Sequence, residues 1–381
     1  MSFVFRSVPE DFEVEELAAF ERSGTGAHLH VEIEKRGIST VEAARRLARA
    51  LGADPRAVGF AGRKDAQAVA RQWLSIEGGE PRRALGLELA GLRVLRAERH
   101  ERKLRVGALR GNRFRLRLRA VVAADRPAIA AALERLARDG LPNAFGPQRF
   151  GFGGRAPELG RLLVERRWRD YLLRLCTPEH WPATPALAEL RARLERGGRA
   201  DLRTLARLAP ALSPELAPLA RQLARRRDDW RGGVRALSRD LTRMHVSALQ
   251  SRVFNRVLAE RRETFGALEP GDIAHRHPPP SPFEESPTGP IPGWKAPLAE
   301  GRPGQIERAA LAAEGLENAA LRGIGLGLDR RGARRPLRVP LGGLEHQREG
   351  DELRLRFDLP AGSYATAVIE ELLHSIGAAR R

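Results

Sequence analysis

The apolar pattern predicts an α+β protein, with strand alternation at both ends of the chain and helical periods between. Leu29, Val31 and Ile33 alternate with His30, Glu32 and Glu34, and Phe114, Leu116 and Leu118 alternate with Arg113, Arg115, Arg117 and Arg119. Near the end, Leu353, Leu355, Phe357 and Leu359 alternate with Arg354, Arg356 and Asp358. From about Arg155 to Arg335 the apolar residues recur at three and four, best in Val246, Leu249, Val253, Phe254, Val257 and Leu258. Hydrophobic strands at both termini are expected to complete one sheet. Residues 1–154 and 336–381 then make one domain, and 155–335 a second, mainly helical one inserted in it.

The elements follow in order. Residues 2–36 read as strands, with Phe12 and Val14 alternating with Asp11, Glu13 and Glu15. Ser39-Thr40-Val41-Glu42 matches a capping box and opens a helix to Leu51, where Gly52 stops it. Val58, Phe60 and Ala61 read as a buried strand end, and Gly62 as a turn by positive φ. Val69 to Ile76 and Leu92 to Leu95 are further strands. Asp125 is expected to cap a helix to Arg138, ended by Gly140. Leu141 to Gly154 holds too much glycine, proline and aromatic residue for a helix. Helices are expected near 157–168, 185–196, 213–230 and 245–262; Ser247, Ser251 and Asn255 read as a polar shoulder of the last. Pro270 to Pro303 reads as a long loop, Leu337 to Leu341 and Leu353 to Leu359 as strands, and Ser363 to Ser375 as a closing helix.

Composition narrows the partners. The net charge of +19 favours a polyanion, most simply a nucleic acid, over an anionic membrane surface. Its source is arginine, 63 against 4 lysines, so Lys64 is a minority choice beside the carboxylate of Asp65. Arg113, Arg115, Arg117 and Arg119 form a like-charged ladder on one strand face, which suits a phosphate backbone. Cys176 is the only cysteine, which fits a reducing, cytoplasmic setting. No apolar run of about 18 residues predicts a membrane helix, and the acidic start (Glu10, Asp11, Glu13, Glu15, Glu16) does not read as a signal peptide.

Several chemistries lack their motif. His28-x-His30 and His275-x-His277 have no cysteine or carboxylate set at metal spacing, so no metal is expected. The zinc deaminase signature and the phosphate loop of nucleotide triphosphatases are both missing. Gly323-Ile324-Gly325-Leu326-Gly327 is glycine-rich without the dinucleotide spacing, so no coenzyme is expected either. Val58-Gly59-Phe60-Ala61-Gly62-Arg63-Lys64-Asp65 puts a carboxylate on a turn between two strands, held rigidly as a reacting group must be; taken alone, Arg63-Lys64-Asp65 also reads as a solvated polar turn.

Five stretches together resemble the tRNA pseudouridine synthase D (TruD) family. They are Pro9-Glu10-Asp11-Phe12-Glu13-Val14-Glu15-Glu16, Gly59-Phe60-Ala61-Gly62-Arg63-Lys64-Asp65 and Lys103 to Phe114, then Pro142 to Gly151 and Phe357 to Thr366. The resemblance implies a pseudouridine synthase fold, a mixed and largely antiparallel sheet with helices, carrying an inserted TRUD domain with RNA in the cleft between. It implies isomerisation of a tRNA uridine, usually uridine 13 of the D-arm, without cofactor or metal. The nucleophile would be Asp65, whether it attacks the ribose carbon, attacks C6 or serves as a base. Lys64 or Arg63 would favour its charged form. Phe12, Phe114 and Tyr364 fall at the family's aromatic pocket positions and Asn112 at its polar one, suited to a flipped uracil. Tyr364 stands where bacterial members commonly carry phenylalanine, and Arg6 where lysine is frequent. A monomer is favoured over an oligomer. The main alternative is a non-catalytic basic RNA-binding protein on the same fold, against which Asp65 argues, since phosphate repels a carboxylate. A methyltransferase is the second alternative, and no cofactor loop supports it.

Overall fold

The computed structural model describes residues 2–177, 179–196, 205, 207–226 and 228–379. The first elements are β1 (Val4–Phe5), β2 (Phe12–Ala18), β3 (His28–Arg36), α1 (Thr40–Leu51), β4 (Gly59–Phe60) and β5 (Val69–Glu77). They are followed by α2 (Pro81–Leu85), β6 (Glu88–Leu89), β7 (Leu92–His100), β8 (Leu109–Arg119) and α3 (Arg126–Asp139). Helices α4 (Ala156–Val164), α5 (Trp168–Leu175), α6 (Pro185–Arg196), α7 (Ala217–Arg225), α8 (Trp230–Ala236) and α9 (Arg239–Glu260) come next. Strands β9 (Ala274–Arg276) and β10 (Glu285–Ile291), helix α10 (Gly301–Ala313) and β11 (Ala333–Pro336) precede β12 (Gly342–Glu349), β13 (Glu352–Pro360) and α11 (Ala365–Ala379).

The chain divides into two compact units. The first is Met1–Leu141, Pro278–Glu284 and Val339–Arg381; the second is Pro142–His277 and Glu285–Arg338. In the first, ten strands form one sheet in the order β12-β13-β8-β2-β5-β3-β7-β6, with β1 also on β8 and β4 also on β5. Among the described residues of this sheet, only the β2–β5 pairing is parallel. Alternation dictates its faces. Phe114, Leu116 and Leu118 of β8 and Leu353, Leu355 and Phe357 of β13 share a core with Ile129 and Leu133 of α3 and Val368 and Leu372 of α11. Toward the other edge, Leu29, Val31 and Ile33 pack with Leu74 and Ile76 against Ala44, Leu47 and Leu51 of α1.

Local signals account for α1 closely. Ser39 accepts from the Glu42 N–H, and Gly52 ends the helix at φ 74°, a conformation that costs glycine little. Asp125 stands at the start of α3 without a capping bond from its side chain. Gly62 does not take a positive φ, so the turn toward Asp65 is made otherwise.

The second unit holds helices α4 to α10 and a three-stranded antiparallel sheet, β9-β10-β11. Leu159, Leu163, Tyr171, Leu172, Leu249 and Val253 are buried there. Gly160 permits close packing of α4 on α9, since a Cβ there would stand 2.2 Å from the His245 carbonyl oxygen. Segment 142–154, expected in the first domain, belongs to this unit. Asn255 brackets Phe145, accepting its N–H at 2.9 Å and donating to its carbonyl at 2.8 Å. Arg149 donates to Ser251 at 3.0 Å and Ser247 at 2.7 Å. The polar row on α9, expected as a polar shoulder, is therefore where Phe145 and Arg149 dock. The long loop expected from Pro270 to Pro303 instead contains β9, β10 and the start of α10. The helix expected over 213–230 is two described helices, α7 and α8, and residue 227 between them lies outside the described residues.

Candidate active site

Asp65 lies between β4 and β5, in a segment fixed from several sides. Thr40, the first residue of α1, accepts the Lys64 N–H at 2.8 Å and donates to Gln72 at 2.9 Å. Lys35, at the end of β3, is fully buried and donates to the Asp65 carbonyl at 2.5 Å and the Ile38 carbonyl at 2.8 Å. The Gly107 N–H donates to the Ala61 carbonyl at 2.8 Å, and the Asp65 carboxylate accepts the Gln67 N–H at 3.0 Å. Backbone groups on both sides of the aspartate are thus taken up, and its carboxylate is left partly accessible, 24% exposed.

Arg6 pairs with Asp65 at 3.0 Å. Of the two cations expected beside Asp65, Lys64 and Arg63, geometry turns Lys64 away. Its ammonium turns inward to Glu16 at 3.2 Å and Asn112 at 2.5 Å, with the Lys64 and Glu16 side chains only 5% and 1% exposed. Burial pushes Lys64 down and Glu16 up, and the attraction between them opposes both shifts. Because the Asn112 oxygen faces an ammonium, its amide NH2 points the other way and keeps its donors.

Arg6 has a second contact. Its guanidinium covers the Phe12 ring at 4.0 Å, and Phe12 meets Phe5 and Phe114 edge-on, each at 5.9 Å. Phe12 and Phe114 are 5% and 6% exposed, so the pair expected to stack on a base is an apolar floor beneath Arg6. Tyr364 lies half-buried in the turn between β13 and α11. That turn begins beside Asn112, since Leu359 pairs with Asn112 and Pro360 with Gly111.

The arginine ladder is on the opposite face of β8 from Phe114 and Asn112, and its charge is met within the unit. Arg113 forks onto Asp358 at 2.8 and 3.0 Å. Arg115 lies 3.8 Å from Glu13 and 3.7 Å from Glu15, and Arg117 lies 3.6 Å from Glu352. Arg119 holds Asp11 at 2.8 Å and Glu352 at 3.1 Å. Like charges along one strand find acids on adjacent strands, so the phosphate ladder read from β8 alone is an internal ion-pair network.

Sequence reasoning missed Lys35, Glu16, Thr40 and Gln72. Lysine scarcity was a usable signal. Of the 4 lysines, Lys35 and Lys64 are buried beside Asp65, where each supplies a compact ammonium in place of the far commoner guanidinium.

The fold and these residues define an α+β scaffold presenting one fixed carboxylate. The family model for tRNA pseudouridine synthase D (TruD) matches residues 1–372, and the chain belongs to that family of isomerases. The tRNA pseudouridine synthase D of Geobacter sulfurreducens is 42% identical, covering 98% of this chain and 94% of that protein. Its counterpart in Geobacter metallireducens is 40% identical, covering 97% and 94%. A Methanosarcina mazei crystal structure assigned to the same family matches with a TM-score of 0.73 at 26% identity, covering 97% of this chain and 93% of that one. Among the described residues no helix is long and apolar enough to cross a membrane.

Proposed function

We propose that this chain isomerises a uridine of tRNA to pseudouridine with Asp65 as the nucleophile. One observation carries the reading: the Asp65 carbonyl is pinned by Lys35 and the adjacent Lys64 amide by Thr40, while the Asp65 carboxylate stays accessible against Arg6. A reacting group needs that combination of fixity and access. In the reaction the N1–C1′ bond breaks, the uracil turns, and C5 bonds to C1′. N1 gains a proton and C5 loses one, so no oxidant, reductant or co-reactant is consumed.

The neighbouring residues take parts that their positions allow. Arg6 balances the charge of the carboxylate, and the Asn112 amide donates to a uracil carbonyl. Tyr364 stacks on the flipped base, a contact worth about 1–3 kcal/mol. Phe12 and Phe114 support Arg6 from below. Uridine 13 of the D-arm is the target that the family resemblance supports. The test is to treat an unmodified tRNA transcript with the purified chain and map pseudouridine. A single new pseudouridine at position 13 is the expected result; bound but unmodified tRNA would overturn the reading in favour of an RNA-binding protein.

A further inference from the structure

The glycine-rich run Gly323-Ile324-Gly325-Leu326-Gly327 in the second unit has no part in the site above. Its glycines take φ of 71°, 80° and 71°, with Leu326 at 57° between the last two, so the chain winds through left-handed backbone. Ile324 and Leu328 are buried and anchor it. Asp329 closes the loop, accepting the Gly323 N–H at 3.2 Å and the Gly325 N–H at 3.0 Å. With its amides so used, the loop turns carbonyls toward arginines.

Each glycine faces one guanidinium. Arg166 donates to the Gly323 carbonyl, and Arg243 donates to the Gly327 carbonyl at 3.3 Å. The Arg231 guanidinium lies 3.4 Å from the point where a Cβ on Gly325 would stand, which is van der Waals contact. Arg322 and Lys295 flank the Trp294 ring at 4.9 and 4.8 Å. Arg330 is half-buried, pushed down first by burial and next by the charge of Arg243. Among the described residues none of Arg166, Arg231, Arg243 and Arg322 forms an ion pair with a carboxylate, and all four are exposed.

On β8 every arginine of the ladder is matched by an acid; here the fold gathers guanidiniums and sets Arg166 and Arg243 against neutral carbonyls. A carbonyl orients a guanidinium without neutralising it, and a fork of five donors that gives one or two to the backbone keeps the rest for an anion. Gathering like charges costs free energy unless a polyanion relieves it.

We propose that this arginine-ringed glycine loop is a phosphate-binding surface for the RNA backbone, resting on the reading that the substrate is tRNA. The full chain carrying Arg231→Ala with Arg243→Ala, and separately Arg322→Ala, is titrated with tRNA across a salt series. Affinity is expected to fall about tenfold for the double variant, and the slope of log K against log salt to become shallower by about 0.7–0.9 for each phosphate no longer neutralised. Arg231→Lys with Arg243→Lys keeps the charge and is expected to restore most of the slope. Arg191→Ala, whose guanidinium pairs with Glu195 at 3.0 Å, controls for loss of a paired surface arginine. In turnover the double variant is expected to raise KM and spare kcat. Affinity and slope matching Arg191→Ala would overturn the proposal, as would a loss confined to kcat. The binding arm decides it even if the wild-type chain makes no pseudouridine, so the two readings fail separately.

Discussion

Arg6 and Asp65 meet at 3.0 Å, and the same guanidinium lies 4.0 Å over the Phe12 ring. One side chain thus ties the Asp65 loop to the aromatic floor. Arg6 itself sits at φ 62°, a left-handed conformation unusual for arginine, which the surrounding contacts must hold in place. Arg6→Ala is expected to lower kcat about a hundredfold, the scale seen when one electrostatic partner of a reacting group is removed. Arg6→Lys keeps the charge without the planar fork and should recover part of that loss. Single-turnover rates compare the three; a full rate in Arg6→Ala would mean that the pair is incidental.

Lys35 gives the loop a pH signature. Burial pushes its ammonium down to about 8 from 10.5, against the opposing pull of Asp65. Below about pH 8 it is charged in folded and unfolded chains alike, and its burial cost is constant. Between about 8 and 10.5 the unfolded chain binds more protons, so stability due to this group rises with pH. Thermal unfolding of Lys35→Met should lack that rise, so its deficit against wild type widens across the window. Its kcat near neutral pH should fall about tenfold, because the Asp65 carbonyl loses its anchor. Parallel stability curves would show that Lys35 does not titrate there.

Glu16 and Lys64 form the buried pair behind the loop. Glu16→Ala leaves an ammonium enclosed with only Asn112 and is expected to cost about 3–5 kcal/mol in urea unfolding. Replacing both by methionine removes the stranded charge and should recover much of that stability while turnover stays low. A loss under about 1 kcal/mol in Glu16→Ala would show that water reaches Lys64.

Arg119 tests the reassignment of the ladder. Burial alone would raise Asp11, but hydrogen bonds from Arg119 and from the Val8 and Ser7 amides outweigh it and hold the carboxyl below its usual range. That contribution is present above the unfolded value near 3.8 and is lost as pH falls through the lower folded value. Arg119→Ala should therefore lower the urea midpoint at neutral pH, with the gap to wild type closing in acid. Its salt dependence of tRNA binding should match wild type. A shallower slope would return phosphate to this face.

Much of the fold is legible in sequence, and the failures share a cause. Alternation locates β3, β8 and β13, and Ser39 and Gly52 locate both ends of α1. Strand β12 escapes because most of its residues are exposed and show no apolar period. Strand β10 is hidden by Pro287 and Pro290 within it. The motif around Asp65 marks the candidate loop, yet it does not reveal that Lys64 turns away to Glu16 and that Arg6 pairs with Asp65. Pairing across strands decides such partners: Glu16 faces Asn112 across β2 and β8 although the two are far apart along the chain. For the same reason a strand read alone shows a phosphate ladder where the sheet holds an internal ion-pair network.

Asp65 as the nucleophile is the central claim. Asp65→Asn keeps the volume and one oxygen while removing the charge that reacts. With tRNA carrying tritium at C5 of uridine, single-turnover release of tritium should vanish in the variant, at tRNA affinity within about twofold of wild type. Tritium release at a rate near wild type would contradict that role and move the chemistry to another group.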